Sequence, residues 1–186
     1  MNNGIAQPDA SYRVCIPPRN SNNCVLEAAL SESIGSLVNT LRNYIIHTND
    51  ILIAAGIKVW KNNIDGSASM LFVTYLRALE TNNPVLFLPV FKSFGNQALD
   101  AGQLAEVVAA MRMDRIDYES FQGVGFGEEC DSPGIDCFQI EIPRNLLTCI
   151  DNMGTIFPPN INFTEDHRCV LDLYELQQVI WVRLFD

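Results

Sequence analysis

The sequence predicts an α+β fold: a helix-rich single domain with a few short strands and an extended N-terminal arm. Three observations carry that prediction. Apolar residues recur at spacings of three and four along residues 24–47, the period of one helix face. The stretch "CFQIEIP" alternates Phe138, Ile140 and Ile142 with Gln139 and Glu141, the period of a half-buried strand. Residues 1–23 are rich in Asn, Pro and Ser and lack apolar periodicity, the composition of an arm rather than a packed element. The expected organisation is an arm over 1–23 and one globular domain over 24–186, long enough to bury a substantial core.

Taken in order, the first helix is expected in "CVLEAALSESIGSLVNTLRNYIIH", with Leu26, Leu30, Ile34, Leu37, Leu41, Tyr44 and Ile45 on one face and Asn22 or Asn23 as its cap. It either runs on or restarts at Asp50, and Gly56 reads as its stop. "IKVWK" alternates apolar and basic residues, suggesting a short strand with Lys58 and Lys61 at a sheet edge. A turn at "NNIDG" leads to a second helix, Ser67 to Glu80, so broadly apolar that near-complete burial is expected. In "NPVLFLPVF", Pro89 disturbs a helix interior or a central strand, which leaves an edge strand.

A third helix is expected from Asp100 to Met113, with Ala101, Leu104, Ala105, Val108 and Met111 on one face, packed against the first helix. From Asp114 to Asp136 the pattern dissolves into Gly, Asp and Glu, a long irregular segment of the kind that is functional or strapped. "RNLLTCIDNMG" fits a short helix ending at Gly154. The closing stretch divides between a helix from Glu165 and a strand over "VIWVRLF".

Composition narrows the function. Apolar residues are 48% and charged residues 18%, against about 25% charged in typical domains, so the surface is poor in charge. The 22 acids and 12 bases give a net charge of −10 with no basic run, which disfavours broad nucleic-acid binding and an anionic membrane surface. The apolar runs "MLFVTYL" and "VLFLPVF" fall short of the roughly 18 residues a membrane span needs. No signal peptide is visible at the start. Either the chain stays inside a cell or a signal has been removed.

The six cysteines fall as three close pairs, Cys15 with Cys24, Cys130 with Cys137, and Cys149 with Cys169. The first two pairs bracket turn-forming loops, where a disulfide would contribute about 2.5 kcal/mol on the chain-entropy account. Free structural thiols in a reducing compartment are the competing reading. Asn162 opens an Asn-Phe-Thr glycosylation acceptor, which leans towards an oxidising environment.

Metal and phosphate chemistry are weakly supported. The spacings C-x6-C and C-x8-C do not match zinc motifs. Asp131, Asp136 and the Glu128–Glu129 pair lack the calcium-loop register. "GVGFG" has glutamate where a dinucleotide loop needs its last glycine. A thiol hydrolase would need Cys149 or Cys169 with His167 as base, yet Asp166, His167 and Cys169 are sequence neighbours that a helix would point apart. His47 suits the end of the first helix. Glu128 and Glu129 read as solvated acids, and Trp60 and Trp181 as packing residues in strands.

The expected function is a non-catalytic structural or assembly protein, a self-associating subunit of a shell, coat or filament, with no cofactor and no metal. Its partner is itself, with a further protein partner reached through the N-terminal arm. "MNNGIAQPDAS" offers little to bury, so alone it cannot offset an ordering cost of about 1–2 kcal/mol per residue. A neighbouring subunit would supply the support. The expected location is extracellular or associated with a virion or other assembly, with the cytoplasm left open. A secreted, disulfide-stapled module binding a ligand or protein is the alternative, and a small cysteine-dependent hydrolase the second alternative.

Overall fold

The computed structural model describes residues 10–13, 22–48, 50–62, 66–77, 87–143, 146 and 168–185. Strand and helix occur in near-equal measure, about 37% and 36%, so the helix-rich expectation is corrected to a mixed α+β fold. The elements run β1 (Ala10–Arg13), β2 (Asn22–Ala29), α1 (Ile34–His47), β3 (Ile53–Lys61), β4 (Ala68–Arg77), β5 (Phe87–Gly95), α2 (Ala101–Met113), β6 (Gln139–Pro143), β7 (Arg168–Asp172) and α3 (Leu173–Phe185). The first five strands form one sheet in chain order. Only β2 and β3 are parallel within it, and α1 makes the crossover between them. Strands β6 and β7 form a separate antiparallel pair.

The long helix expected over 24–47 is two elements. Its first third is β2, with Val25 opposite Ala54 of β3. The helix starts at Ile34, where Ser33 supplies the cap and its Oγ accepts the Ser36 N–H at 3.2 Å. Leu30 falls in the connection and is exposed, whereas Ile34, Leu37 and Leu41 are fully buried as expected.

The largest correction is the helix expected from Ser67 to Glu80: residues 68–77 are strand β4, and 78–80 lie outside the described residues. β4 is buried along nearly its whole length, because helices α1 and α2 cover one face of the sheet and β6, β7 and α3 the other. A strand covered on both sides reads as a continuous apolar run, which periodicity cannot separate from a buried helix. One face packs Leu71, Val73, Tyr75 and Phe91 with α1 and α2. The opposite face packs Met70, Phe72 and Phe94 with Phe138, Ile140 and Leu173.

Gly56, expected to stop a helix, lies inside β3 opposite Val73. A Cβ there would sit 2.8 Å from Leu37 Cδ1 and 3.0 Å from Leu41 Cδ1, so glycine lets α1 lie close on the sheet. Lys58 is likewise not at an edge. It sits in the central strand, 5% exposed, and its Nζ donates to the Leu30 and Glu32 carbonyls at 2.7 and 2.6 Å and stands 5.6 Å from the Trp60 ring centroid. It thus satisfies two carbonyls of the β2–α1 connection that lie away from any ladder.

β5 is the outermost strand, as expected, and Pro89 lies opposite Tyr75, a position where a missing N–H is tolerated. α2 matches the expected span. Asp100 Oδ1 accepts the N–H groups of Gly102 and Gln103 at 2.8 and 2.9 Å, and Gln103 Oε1 accepts the Asp100 N–H at 3.0 Å, a reciprocal capping box. The helix packs on α1, but its buried residues are Val107, Ala110 and Met111, while Ala101 and Ala105 face solvent. At the chain's end the expected order is reversed: 168–172 is strand and "VIWVRLF" is helical, which places Trp181 on α3.

Buried polar groups fix how the layers meet. Arg77 donates through Nε to the Ile51 carbonyl at 3.0 Å and through Nη2 to the Thr48 carbonyl at 3.0 Å and the Ile45 carbonyl, closing the end of α1. Asp114, whose side chain is 1% exposed, pairs with Arg42 Nε at 3.2 Å and accepts the Tyr75 hydroxyl at 2.5 Å, joining α1, β4 and the end of α2. Burial, then the bond to Asp114, hold the Tyr75 hydroxyl well above its usual ionisation range. No helix among the described residues is long and apolar enough to cross a membrane.

Candidate functional site

The irregular segment ends in a groove on the sheet face opposite α1. Its volume is about 560 Å³, and Val90, Lys92, Asp136, Gln139, Ile140 and Glu141 line it. Successive residues of a strand alternate faces, so Phe91 and Ser93 turn towards α1 while Lys92 points to the groove. The half-buried Lys92 donates from Nζ to the Gln139 carbonyl at 2.8 Å, tying β5 to the start of β6. Burial lowers the Lys92 pKa, against the opposing pull of Cys137 and Glu141.

One wall of this region is "GEECDSPGIDCF". Its turn is held by Asp172, whose Oδ2 accepts the Gly134 N–H at 2.7 Å while Oδ1 accepts the Tyr174 N–H at 2.9 Å at the start of α3. The Cys130 and Cys137 side chains both belong to the core on this side of the sheet. Both carry free thiols, so the short staple expected between them is not formed in this structure. Cys130 is 3% exposed, and burial pushes its thiol up to about 11, with Asp172, Cys137 and Asp131 adding to the effect and a Gly95 backbone hydrogen bond opposing it. Cys137 lies nearer the groove. Burial and Glu128 raise its pKa while Lys92 lowers it.

The other predicted residues are dispersed. Cys24 is a free thiol on β2, pushed up to about 11 by burial. Cys169 is free on β7, and burial raises its pKa as well. Cys15, Cys149, Asn162 and His167 lie outside the described residues, as does the short helix expected over "RNLLTCIDNMG" beyond Leu146. His47 is exposed in the last turn of α1, the end of a helix that favours a basic side chain. Glu128 and Glu129 are exposed.

A nucleophilic thiol needs a lowered pKa or an adjacent base, and all four described thiols are shifted the other way. Among the described residues no three His, Cys, Asp or Glu side chains gather as a metal site. What the groove offers is recognition: one ammonium, two carboxylates, an amide and two apolar side chains around an open cleft. Lys92 carried a sequence signal, being a lone lysine inside the apolar run "PVFKSF". Asp114 carried none, because its partners Arg42 and Tyr75 are remote in the chain. No protein-family model, curated protein or solved structure matches this chain.

Proposed function

We propose that this chain is a non-catalytic, self-associating subunit of a shell, coat or filament, outside the cell or within a virion or similar assembly. The observation that carries the reading is the place of β1. Residues 10–13, from the arm, form the outermost strand of the sheet and pair antiparallel with β2. Main-chain ladder bonds do not depend on which chain supplies the strand, so an arm that docks this way can serve a neighbouring copy through the same edge. Light scattering on the intact chain and on one lacking residues 1–13 tests this. We expect a homo-oligomer that weakens on truncation while circular dichroism stays that of a folded domain. A full-length chain that remains monomeric at high concentration would end the reading.

A second reading is a ligand- or protein-binding module, and the groove around Lys92 is the observation that favours it. Replacing Lys92 with Met would then abolish ligand capture without changing oligomer size.

A further inference from the structure

The segment after α2 carries three aromatic rings in mutual contact. Phe121 is buried, and Phe126 meets it edge-on with centroids 5.0 Å apart and planes at 88°. Tyr118 stacks on Phe121 at 6.2 Å and meets Phe126 edge-on at 6.4 Å. Two of the rings emerge from the surface: Tyr118 is 37% exposed and Phe126 40%.

Local hydrogen bonds set the backbone beneath them. Phe121 N–H donates to the Tyr118 carbonyl at 2.9 Å, and Phe126 N–H to the Gly123 carbonyl at 3.1 Å. Gly123 has φ +146° and rests on β5, where a Cβ would fall 2.4 Å from the Ser93 carbonyl oxygen, so only glycine allows this seat. Rings fixed in this way lose little freedom on binding.

Carboxylates outnumber bases around them, where the exposed Arg115 stands three residues before Tyr118. Asp117, Glu119, Glu128 and Glu129 are exposed within three residues of the emergent rings, and no basic residue occurs between Arg115 and Arg144. We propose that this surface docks a basic segment of another protein, one that sets arginine or lysine beside apolar side chains. Ring faces attract the cation, the carboxylates pair with it, and the ring edges take its aliphatic stem. A second copy of this chain fits poorly here, since its net charge is −10 and its bases are scattered singly. The surface uses neither β1 nor Lys92, so the proposal stands or falls apart from the assembly reading.

The test is fluorescence anisotropy with a labelled peptide of alternating arginine and leucine, and with glutamate–leucine as control. We expect the basic peptide alone to bind. Combining Tyr118→Ala with Phe126→Ala should weaken it about tenfold, and Glu128→Gln with Glu129→Gln should weaken it and flatten its salt dependence. Glu175→Gln, an acid on α3 outside the segment that carries the rings, should change little. Absence of binding, ring variants that bind like the parent, or equal losses from Glu175 and the local carboxylates would each overturn the proposal. Unfolding curves for each variant separate lost binding from lost fold.

Discussion

Cys24 and Cys130 keep their protons to a pH at which a thiol in water has lost its own. Burial raises both from 9.0 to about 11. Between those values the unfolded chain holds fewer protons than the folded one, so stability is intact below pH 9 and falls as the pH rises towards 11. Each shift is worth at most about 3 kcal/mol of stability. Urea unfolding midpoints should therefore drop between about pH 9 and 11, and Cys130→Ala should drop less. An identical decline in that variant would show that Cys130 ionises as freely folded as unfolded. At this scale the sequence was partly legible. It singled out the cysteines by spacing, but spacing is blind to depth. Cys130 packs in the core with Phe94 and Phe138 while Cys137 lies towards Lys92, which no count along the chain conveys.

Helix α1 lies closely on β3 because Gly56 has no side chain to keep Leu37 and Leu41 away. Leu37→Ala should cost about 2–5 kcal/mol, as for other fully buried leucines. Gly56→Ala should cost about 1–3 kcal/mol by overpacking, and distinctly less in the Leu37→Ala background, where the added methyl meets the vacated space. Additive losses in chemical denaturation would show that the two residues do not share this contact. Elements with a single covered face were legible: β6 alternates and α2 opens on Asp100. Elements covered twice were not, for alternation vanishes when both sides are buried. In β4 the succession Phe72, Val73, Thr74 and Tyr75 was nevertheless a strand signal, since β-branched and aromatic residues crowd a helix and suit a pleat.

Across the whole molecule, depth is ordered in three layers, and local stability should follow it. Hydrogen exchange should be slowest at β3 and β4, which are paired on both edges and covered on both faces, and fastest within the sheet at β1. Uniform protection of all five strands, read by mass spectrometry, would contradict that order. The topology itself was hidden in the sequence: parallel pairing of β2 with β3 depends on where α1 returns the chain, and the polar braces at Asp114 and Arg77 join residues far apart in it. The two sheet margins differ in one further respect. Midway along β5, Ser93 N–H donates to the Gln122 carbonyl at 3.1 Å and Gly123 rests against the same residue, so no full-length strand can be laid there. Among the described residues, β1 is then the margin from which the sheet can be extended. Two chains paired along β1 can join about a two-fold axis, and the pair is then closed. A β1 handed on to the next copy's β2 is instead a head-to-tail contact, which no two-fold closes and which the proposed shell, coat or filament requires.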